Sequence, residues 1–179
     1  MSLVDHLPIL PVVLPLVAGT LLLALRNTPL ALQRGVSLVA TLALLPLALL
    51  LAQATGDGTH LVYKLGNWEA PYGIVLVADR LAAWMLLTTA LLALFALLYA
   101  LNGLDRDGRH FHVLFQLQLF GLNGAFLTGD LFNLFVFFEI LLLASYGLLL
   151  HGGGRQRVKA GLHYVVITLV GATPFLFAA

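Results

Sequence analysis

Residues 131–150 form a twenty-residue run, LFNLFVFFEILLLASYGLLL, that is almost wholly apolar and long enough to cross a bilayer as a helix. Glu139 lies in the middle of this run. At a rise of ~1.5 Å per residue, the flanking Asp130 and His151 are roughly 14 and 18 Å away along the helix axis, so the Glu139 carboxyl cannot easily reach either interface. An ionisable group at the membrane midplane indicates a proton or ion relay. The alternative is a neutral acid that hydrogen-bonds between helices and contributes only to packing.

The composition of the chain excludes a soluble globular domain. Of the 179 residues, 61% are hydrophobic and only 9% are charged, and the mean hydropathy is +1.01. The chain contains no cysteine, which excludes disulfides, iron–sulfur clusters and thiolate metal sites within it. The formal net charge of +1 favours no particular partner and gives no indication of nucleic-acid binding. We therefore predict an all-α integral membrane protein.

Six apolar segments are each near the length that a membrane-spanning helix requires. The predicted helices are residues 7–25, 35–52, 81–101, 113–128, 131–150 and 158–179. They form one membrane domain over residues 1–179. The final residues, TPFLFAA, are still apolar and carry no polar cap, so we expect this chain to be the N-terminal part of a longer, truncated protein.

The distribution of Lys and Arg predicts the orientation in the membrane. Seven of the nine basic residues fall in the first, third and fifth loops, with Arg26 and Arg34 assigned to the first. The second loop holds only Lys64 and Arg80. By the positive-inside rule the odd loops face the cytoplasm and the N-terminus faces outward, so we expect a multi-pass protein of the cell inner membrane.

The second loop is the only long one, and it predicts a short extracytoplasmic β-hairpin at about residues 60–77. In LVYKLGNWEAPYGIVLV, two alternating or β-branched stretches flank the pairs Gly66–Asn67 and Ala70–Pro71. Because an isolated two-stranded hairpin is marginally stable, we expect it to pack on the helix ends or on a neighbouring subunit. An irregular loop is the alternative.

Polar side chains on three helices are candidates for a proton path to Glu139. Gln116 and Asn123 share one face of the fourth helix; such amides usually bridge helices, but they can also line a hydrated path. Tyr146 lies on the Glu139 face of the fifth helix. Thr168 in the sixth helix can join the path or bond its own backbone. His163 near the cytoplasmic boundary is a possible relay or an interfacial residue.

The acidic residues Asp79 and Asp130 directly precede apolar helices, which predicts that they are helix N-caps. The histidines near the cytoplasmic side do not form a haem or metal pattern. His110 and His112 are two residues apart on divergent faces of a charged loop, whereas bis-histidine haem ligands face each other within a bundle. We therefore expect no cofactor and no metal.

The stretch GAFLTGDLFNLFVFFEILLLASYGLLL, followed by a basic loop and VKAGLHYVVITLVG, resembles the antiporter-like membrane subunits of Mrp-type cation/proton antiporters and respiratory complex I. The stretch GNWEAPYGIVLVADRLAAWML resembles them too, and the combination is most similar to the D subunits of Mrp-type Na+/H+ antiporters. The resemblance implies that Glu139 is the family's fifth-helix glutamate, which pairs with a lysine on a later helix. At His163 many relatives have lysine, and Pro174 also departs from the family.

The resemblance implies a component of a multisubunit monovalent cation/proton antiporter, with Glu139 as the proton relay. Its partners would be other small membrane subunits, the lipid bilayer, protons and Na+. One alternative is a proton-pumping subunit of complex I or of a membrane-bound hydrogenase. The other is a non-catalytic structural subunit. We expect a secondary transporter subunit rather than an enzyme.

Overall fold

The structure is a computed structural model that describes residues 6–68, 73–108 and 110–178. This part of the chain contains six α-helices and two short strands. The helices are α1 (Leu10–Ala24), α2 (Leu30–Ala54), α3 (Arg80–Ala100), α4 (Phe111–Leu127), α5 (Leu131–Leu149) and α6 (Arg155–Ala178), and the strands are β1 (Leu61–Lys64) and β2 (Val75–Ala78). The predicted helical architecture is confirmed. Among the described residues, α2, α3 and α5 are long and apolar enough to cross a membrane.

Two helices begin at least three residues earlier than predicted. Helix α2 begins at Leu30, directly after Pro29, rather than near Gly35, and α6 begins at Arg155 rather than at Val158. The apolar runs mark the membrane-facing part of each helix, but Leu, Ala, Gln and Arg are good helix formers and extend the helix into polar sequence. The assignment of Arg34 to the first loop was therefore wrong, because Arg34 lies in the second turn of α2. The other basic residues that were assigned to loops but lie in the first turns of helices are Arg80 in α3 and Arg155, Arg157 and Lys159 in α6.

Helix α4 is the centre of the bundle. It packs against α1 on one side and α5 on the other, while α2 packs against α3 and α6 contacts α5. Glycines allow the approach of α4 to α5: a Cβ at Gly121 would lie 2.8 Å from the Leu141 backbone nitrogen, and one at Gly124 would overlap the Phe137 ring. Small residues commonly permit such close helix packing in membranes.

The odd-numbered loops meet at one end of the bundle, which we call the basic end (residues 25–29, 101–108, 110 and 150–154). There the Arg34 guanidinium donates to the Leu101 carbonyl at 3.2 Å, and the His151 Nε2 lies 2.9 Å from the Leu104 carbonyl oxygen. Loops after α2 and α4 meet at the opposite end. The up-and-down arrangement used to predict orientation is present, whereas the side of the membrane on which each end lies stays a prediction.

The predicted β-hairpin is confirmed as a two-stranded antiparallel sheet, with Leu61 opposite Ala78 and Lys64 opposite Val75. It packs on the helix ends. Leu76 and Ala78 are buried in one apolar cluster with side chains of α2 and α4, and the Gly129 amide donates to the Val75 carbonyl at 2.8 Å. Gly66, in the predicted turn, has a φ of 65°, a conformation that favours glycine. Ala70–Pro71 lies outside the described residues.

Both predicted N-caps are confirmed. The Asp79 carboxylate accepts from the Ala82 amide at 2.7 Å at the start of α3, and the Asp130 carboxylate accepts from the Asn133 amide at 2.8 Å at the start of α5. These bonds satisfy amides that have no partner within the helix, and the negative charges favour the positive end of the helix dipole. The Asp130 cap fixes where α5 begins and therefore where along the helix Glu139 lies.

Candidate functional site

A cavity of about 320 Å³ lies between α5 and α6. It is lined by Phe135, Phe138, Glu139, Leu142, Thr168, Gly171 and Ala172. Glu139 is the ionisable member of this lining, and the rest of the wall is apolar except for the Thr168 hydroxyl. The cavity therefore presents a carboxyl and a hydroxyl to a space bounded mainly by hydrocarbon.

Within the described part of the chain, the Glu139 carboxyl has no hydrogen bond and no ion pair. The side chain is half-buried and lies midway along α5. All described Lys and Arg side chains lie near the ends of the helices or in the segments between them. This arrangement agrees with the expectation from sequence that no basic partner for Glu139 lies at its depth in this segment.

Tyr146 and Thr168 connect α5 to α6 beside this cavity. The Tyr146 hydroxyl hydrogen-bonds to the Thr168 Oγ1, and the Thr168 hydroxyl lies 2.8 Å from the Tyr164 carbonyl oxygen four residues earlier. If Tyr146 donates to Thr168, the Thr168 proton is free to donate to that carbonyl. The Tyr146 ring also packs edge-on against Tyr164, with centroids 5.4 Å apart. The two predicted hydroxyl residues are therefore brought together, and Thr168 also has the backbone bond that was its alternative.

His163 does not line the cavity. Its side chain is exposed, and its Nδ1 lies 2.9 Å from the carbonyl oxygen of Lys159 in the same helix. A relay role for His163 stays a prediction, because this contact alone is equally typical of an interfacial histidine.

Gln116 and Asn123 face α1 and α2 and not α5. The Gln116 amide nitrogen contacts the Ser37 hydroxyl at 3.2 Å and the Thr41 hydroxyl at 3.1 Å. The Asn123 amide donates to the Pro11 carbonyl at 2.8 Å. That carbonyl needs a partner because Pro15, four residues later, has no N–H to donate. The helix-bridging alternative is confirmed, while a part in proton transfer stays a prediction.

A buried ionic group at the basic end was missed by the sequence reasoning. The Asp105 side chain is fully buried and accepts from the Arg34 Nε at 2.6 Å and the Arg34 Nη2 at 2.7 Å. This bidentate bond holds the pKa of Asp105 below its ordinary value, against the opposing effect of burial. The His112 Nε2 lies 3.3 Å from the same carboxylate. The sequence held one indication that His112 faces the interior: it lies four residues before Gln116 and therefore on the same face of α4.

No group of three or more His, Cys, Asp or Glu side chains that would hold a metal ion occurs among the described residues. The site at Glu139 consists of a carboxyl beside a hydroxyl pair in an apolar cavity. Such a group can take up and release a proton, and its proton affinity depends on the charges that come near it.

The family model described as "NADH:quinone oxidoreductase/Mrp antiporter, TM" matches residues 128–179, which include all of α5 and α6. The chain is 51% identical over 177 residues to the D subunit of a probable K(+)/H(+) antiporter of Rhizobium meliloti, covering 96% of this chain and 33% of that protein. The chain is therefore similar to antiporter-like membrane subunits along 96% of its length. The resemblance stated from the sequence is confirmed.

Two further comparisons agree with this similarity. The chain is 38% identical over 174 residues to the D subunit of a Na(+)/H(+) antiporter of Alkalihalophilus pseudofirmus, covering 96% of this chain and 35% of that protein. Its fold matches a chain in the structure of the Mrp complex from Dietzia sp. DQ12-45-1b with a TM-score of 0.85 at 33% identity, covering 97% of this chain and 33% of that chain. This antiporter-like chain spans about a third of the length of the relatives it matches.

Proposed function

We propose that this chain is part of a subunit of a multisubunit monovalent cation/proton antiporter, and that Glu139 binds and releases a proton near the middle of the membrane. All six helices would cross the membrane, with the basic end in the cytoplasm and the N-terminus outside. The complex would lie in the cell inner membrane and contain other small membrane subunits.

The observation that carries this proposal is the position of Glu139. It is the ionisable group in the wall of an apolar cavity, and among the described residues its carboxyl has no partner. Carboxyls within membrane segments are costly to keep and are typical of proton and ion pathways. A role limited to packing would favour a hydrogen-bond partner on a neighbouring helix.

Exchange would follow from electrostatics. A unit positive charge about 4 Å from a carboxylate is worth about 4 kcal/mol at an effective dielectric constant of 20. Since ~1.4 kcal/mol is a factor of ten in an equilibrium constant, such a charge changes the proton affinity of a carboxyl by several hundredfold or more. Approach of a cation to the α5–α6 cavity would therefore release the proton from Glu139, and withdrawal of the cation would allow it to bind again. The Tyr146 and Thr168 hydroxyls support a polar route to the carboxyl.

The transported cation is Na+ or K+. Na+ is the expectation from the sequence resemblance, and one relative is named for Na(+)/H(+) antiport, whereas the relative with 51% identity is named for probable K(+)/H(+) antiport. Cation-dependent proton efflux from vesicles that contain the complete complex, measured with each salt in turn, distinguishes the two ions.

The central test replaces Glu139 in the complete complex. Glu139→Gln keeps the size and hydrogen bonding of the side chain but removes ionisation, so we expect at least a hundredfold loss of antiport, on the order of the contribution of one essential proton-transfer group. Glu139→Asp keeps the carboxyl and should retain part of the activity. Asp57→Asn removes an exposed carboxylate near the hairpin and is the matched control. Full antiport by Glu139→Gln in an assembled complex would instead support a structural role.

A second candidate is a proton-pumping subunit of a redox complex, because the matching family model covers NADH:quinone oxidoreductases as well as Mrp antiporters. Purification of the native complex separates the two. Flavin or iron–sulfur partners would identify the redox complex, and small membrane subunits alone would identify the antiporter.

A further inference from the structure

The basic end of α4 carries two buried polar atoms for which the described residues supply no hydrogen-bond partner: the His112 Nδ1 and the Gln116 Oε1. His112 is 2% exposed and Gln116 is fully buried. Buried polar atoms in native proteins are nearly always paired with protein or with ordered water. These two atoms therefore need a ligand.

The two side chains are neighbours. They are four residues apart on α4, and residues at this spacing lie on one face of a helix with about 5–6 Å between their Cβ atoms. Side chains at this spacing can share one small bridging ligand such as a water molecule. The Ser37 and Thr41 hydroxyls contact the Gln116 amide nitrogen and add polar surroundings on the α2 side.

The contact of the other ring nitrogen of His112 determines whether the ligand must donate or accept hydrogen bonds. The Nε2 lies 3.3 Å from an Asp105 oxygen. A carboxylate only accepts hydrogen bonds, so the Nε2 carries the proton, and in a neutral ring the Nδ1 is an acceptor. The Gln116 Oε1 is also only an acceptor. A ligand between two acceptors must donate to both, and water can do so.

We propose that Asp105, His112 and Gln116 form a proton-loading site at the basic end of the bundle, completed by one buried water between the His112 Nδ1 and the Gln116 Oε1. A proton that arrives at the water binds to the Nδ1 and gives an imidazolium ring. The Nδ1–H then donates to the water, which donates to the Gln116 Oε1. On release the proton returns to the same water, and no other bond changes.

The surrounding charges suit such a site. The Asp105 carboxylate directly contacts the ring and would stabilise the imidazolium against the cost of burying its charge, while Arg34 holds that carboxylate through two short hydrogen bonds and partly offsets its charge. Among the described residues, His151, whose ring lies 5.3 Å from that of Phe111, is a further titratable group near His112. The α2 groups near the site, Ser37 and Thr41, are neutral. His112 is thus the member of the group that can change protonation while Asp105 and Arg34 stay charged.

The use of this site to load protons rests on the proposed antiport function, whereas the water itself does not. The first test is a high-resolution electron-microscopy map of the complete wild-type complex. We expect density within hydrogen-bonding distance of both the His112 Nδ1 and the Gln116 Oε1. A protein atom in that place, or an empty gap, would overturn the proposal.

The second test is the pH profile of antiport. His112→Gln keeps an amide that can donate to Asp105 but cannot titrate. We expect turnover to fall about tenfold at pH 8 and about twofold at pH 6, because a proton-loading group matters most where protons are scarce. Equal losses at both pH values would show a merely structural role. If His112→Gln fails to assemble, Gln116→Met removes the water's acceptor and leaves the His112–Asp105 contact in place, with the same expected profile. Thr89→Val, on α3 and away from this site, is the matched control for a change at a buried polar residue.

The two proposals fail separately. Full antiport by Glu139→Gln would reject the proposed function, while the map would still decide whether the water is present. If His112→Gln loses the same fraction of turnover at pH 6 and at pH 8 while Glu139→Gln is inactive, only the loading site is rejected.

Discussion

The two sides of α4 differ in how their polar groups are arranged. On the side of α1 and α2, the polar groups are bonded to partners on other elements, and most of them are buried: Arg34 to Asp105, Gln116 to Ser37 and Thr41, and Asn123 to the Pro11 carbonyl. On the side of α5 and α6, the side chains are more exposed, and Glu139 faces a cavity without a partner among the described residues. Fixed polar pairs set helix positions, whereas an unpaired carboxyl in a cavity can respond to an arriving charge.

Removal of a charge from the α1–α2 side should have the largest effect on stability. Asp105→Asn leaves the Arg34 guanidinium without its buried counter-charge, and a lost hydrogen bond to a charged group is among the costlier single changes in a protein. We expect amide hydrogen exchange in residues 101–113 of the complete complex to accelerate by about tenfold or more. Asp57→Asn, on the exposed hairpin side, should leave exchange in that segment unchanged. Unaltered exchange in Asp105→Asn would show that the ion pair does not hold the basic end together.

The same carboxylate gives a signed pH dependence. Because the pKa of Asp105 is lowered in the folded protein, its stabilising effect is fully present above the ordinary carboxyl value of about 3.9 and is lost as the pH falls below it. The difference in melting temperature between the wild type and Asp105→Asn should therefore be constant from pH 8 to pH 5 and should shrink below about pH 4. A difference that already declines between pH 7 and pH 6 would indicate that His112, and not Asp105, dominates.

The packing of α4 against α5, which lies between the α1–α2 side and the α5–α6 side, can be tested at Gly124. A methyl group at Gly124 would overlap the ring of Phe137, which is 8% exposed and has little room to move. Gly124→Ala should destabilise the α4–α5 contact by about 1–3 kcal/mol, which is typical of overpacking. Gly35→Ala in α2 is the matched control, since nothing lies within 4 Å of the added Cβ and the change should be neutral or stabilising. A melting temperature equal to that of the wild type for Gly124→Ala would show that α5 can shift relative to α4.

The sequence predicted the features that depend on local pattern. The apolar runs located all six helices, the acids before them located two caps, and the alternating stretches located the hairpin. Features that depend on which helices meet were not predictable. The fourth helix carries amides and glycines on different faces, but the sequence does not say that the amides face α1 and α2 while the glycines face α5. Arg34 was misplaced because a change from apolar to polar residues marks the membrane boundary and does not mark the end of a helix.

The candidate site was predictable only in part, for the same reason. Glu139 stands out by its position in one helix, and Tyr146 follows from the spacing on that helix. The Tyr146–Thr168 bond requires α5 and α6 to lie at a particular height relative to each other, which Asp130 and the turn at residues 150–154 set together. The Asp105–His112 contact joins a loop to a helix, and hydrophobic periodicity carries no information on such a contact.

The smallest expected effect on stability concerns the hydroxyl pair, and it separates packing from transport. Thr168→Val keeps the shape of the side chain and removes its hydroxyl, so the free energy of unfolding should change by only about 0.6 kcal/mol, the average for a hydrogen bond between membrane helices. If the pair is part of the polar route to Glu139, antiport should fall by about threefold or more, and Tyr146→Phe should have the same effect. Because both changes remove one shared bond, the double variant should be no slower than either single variant.

Thr88→Val in α3 is the matched control for the hydroxyl pair, because the Thr88 hydroxyl makes a 2.9 Å bond to its own helix at the Trp84 carbonyl and no bond to another helix among the described residues. It should change neither stability nor antiport. Additive losses in the double variant would mean that Tyr146 and Thr168 act separately. Normal antiport in both single variants would show that protons reach Glu139 without these two hydroxyls. The Glu139 carboxyl would then be the one feature of the α5–α6 side, among those described above, that distinguishes it from the α1–α2 side.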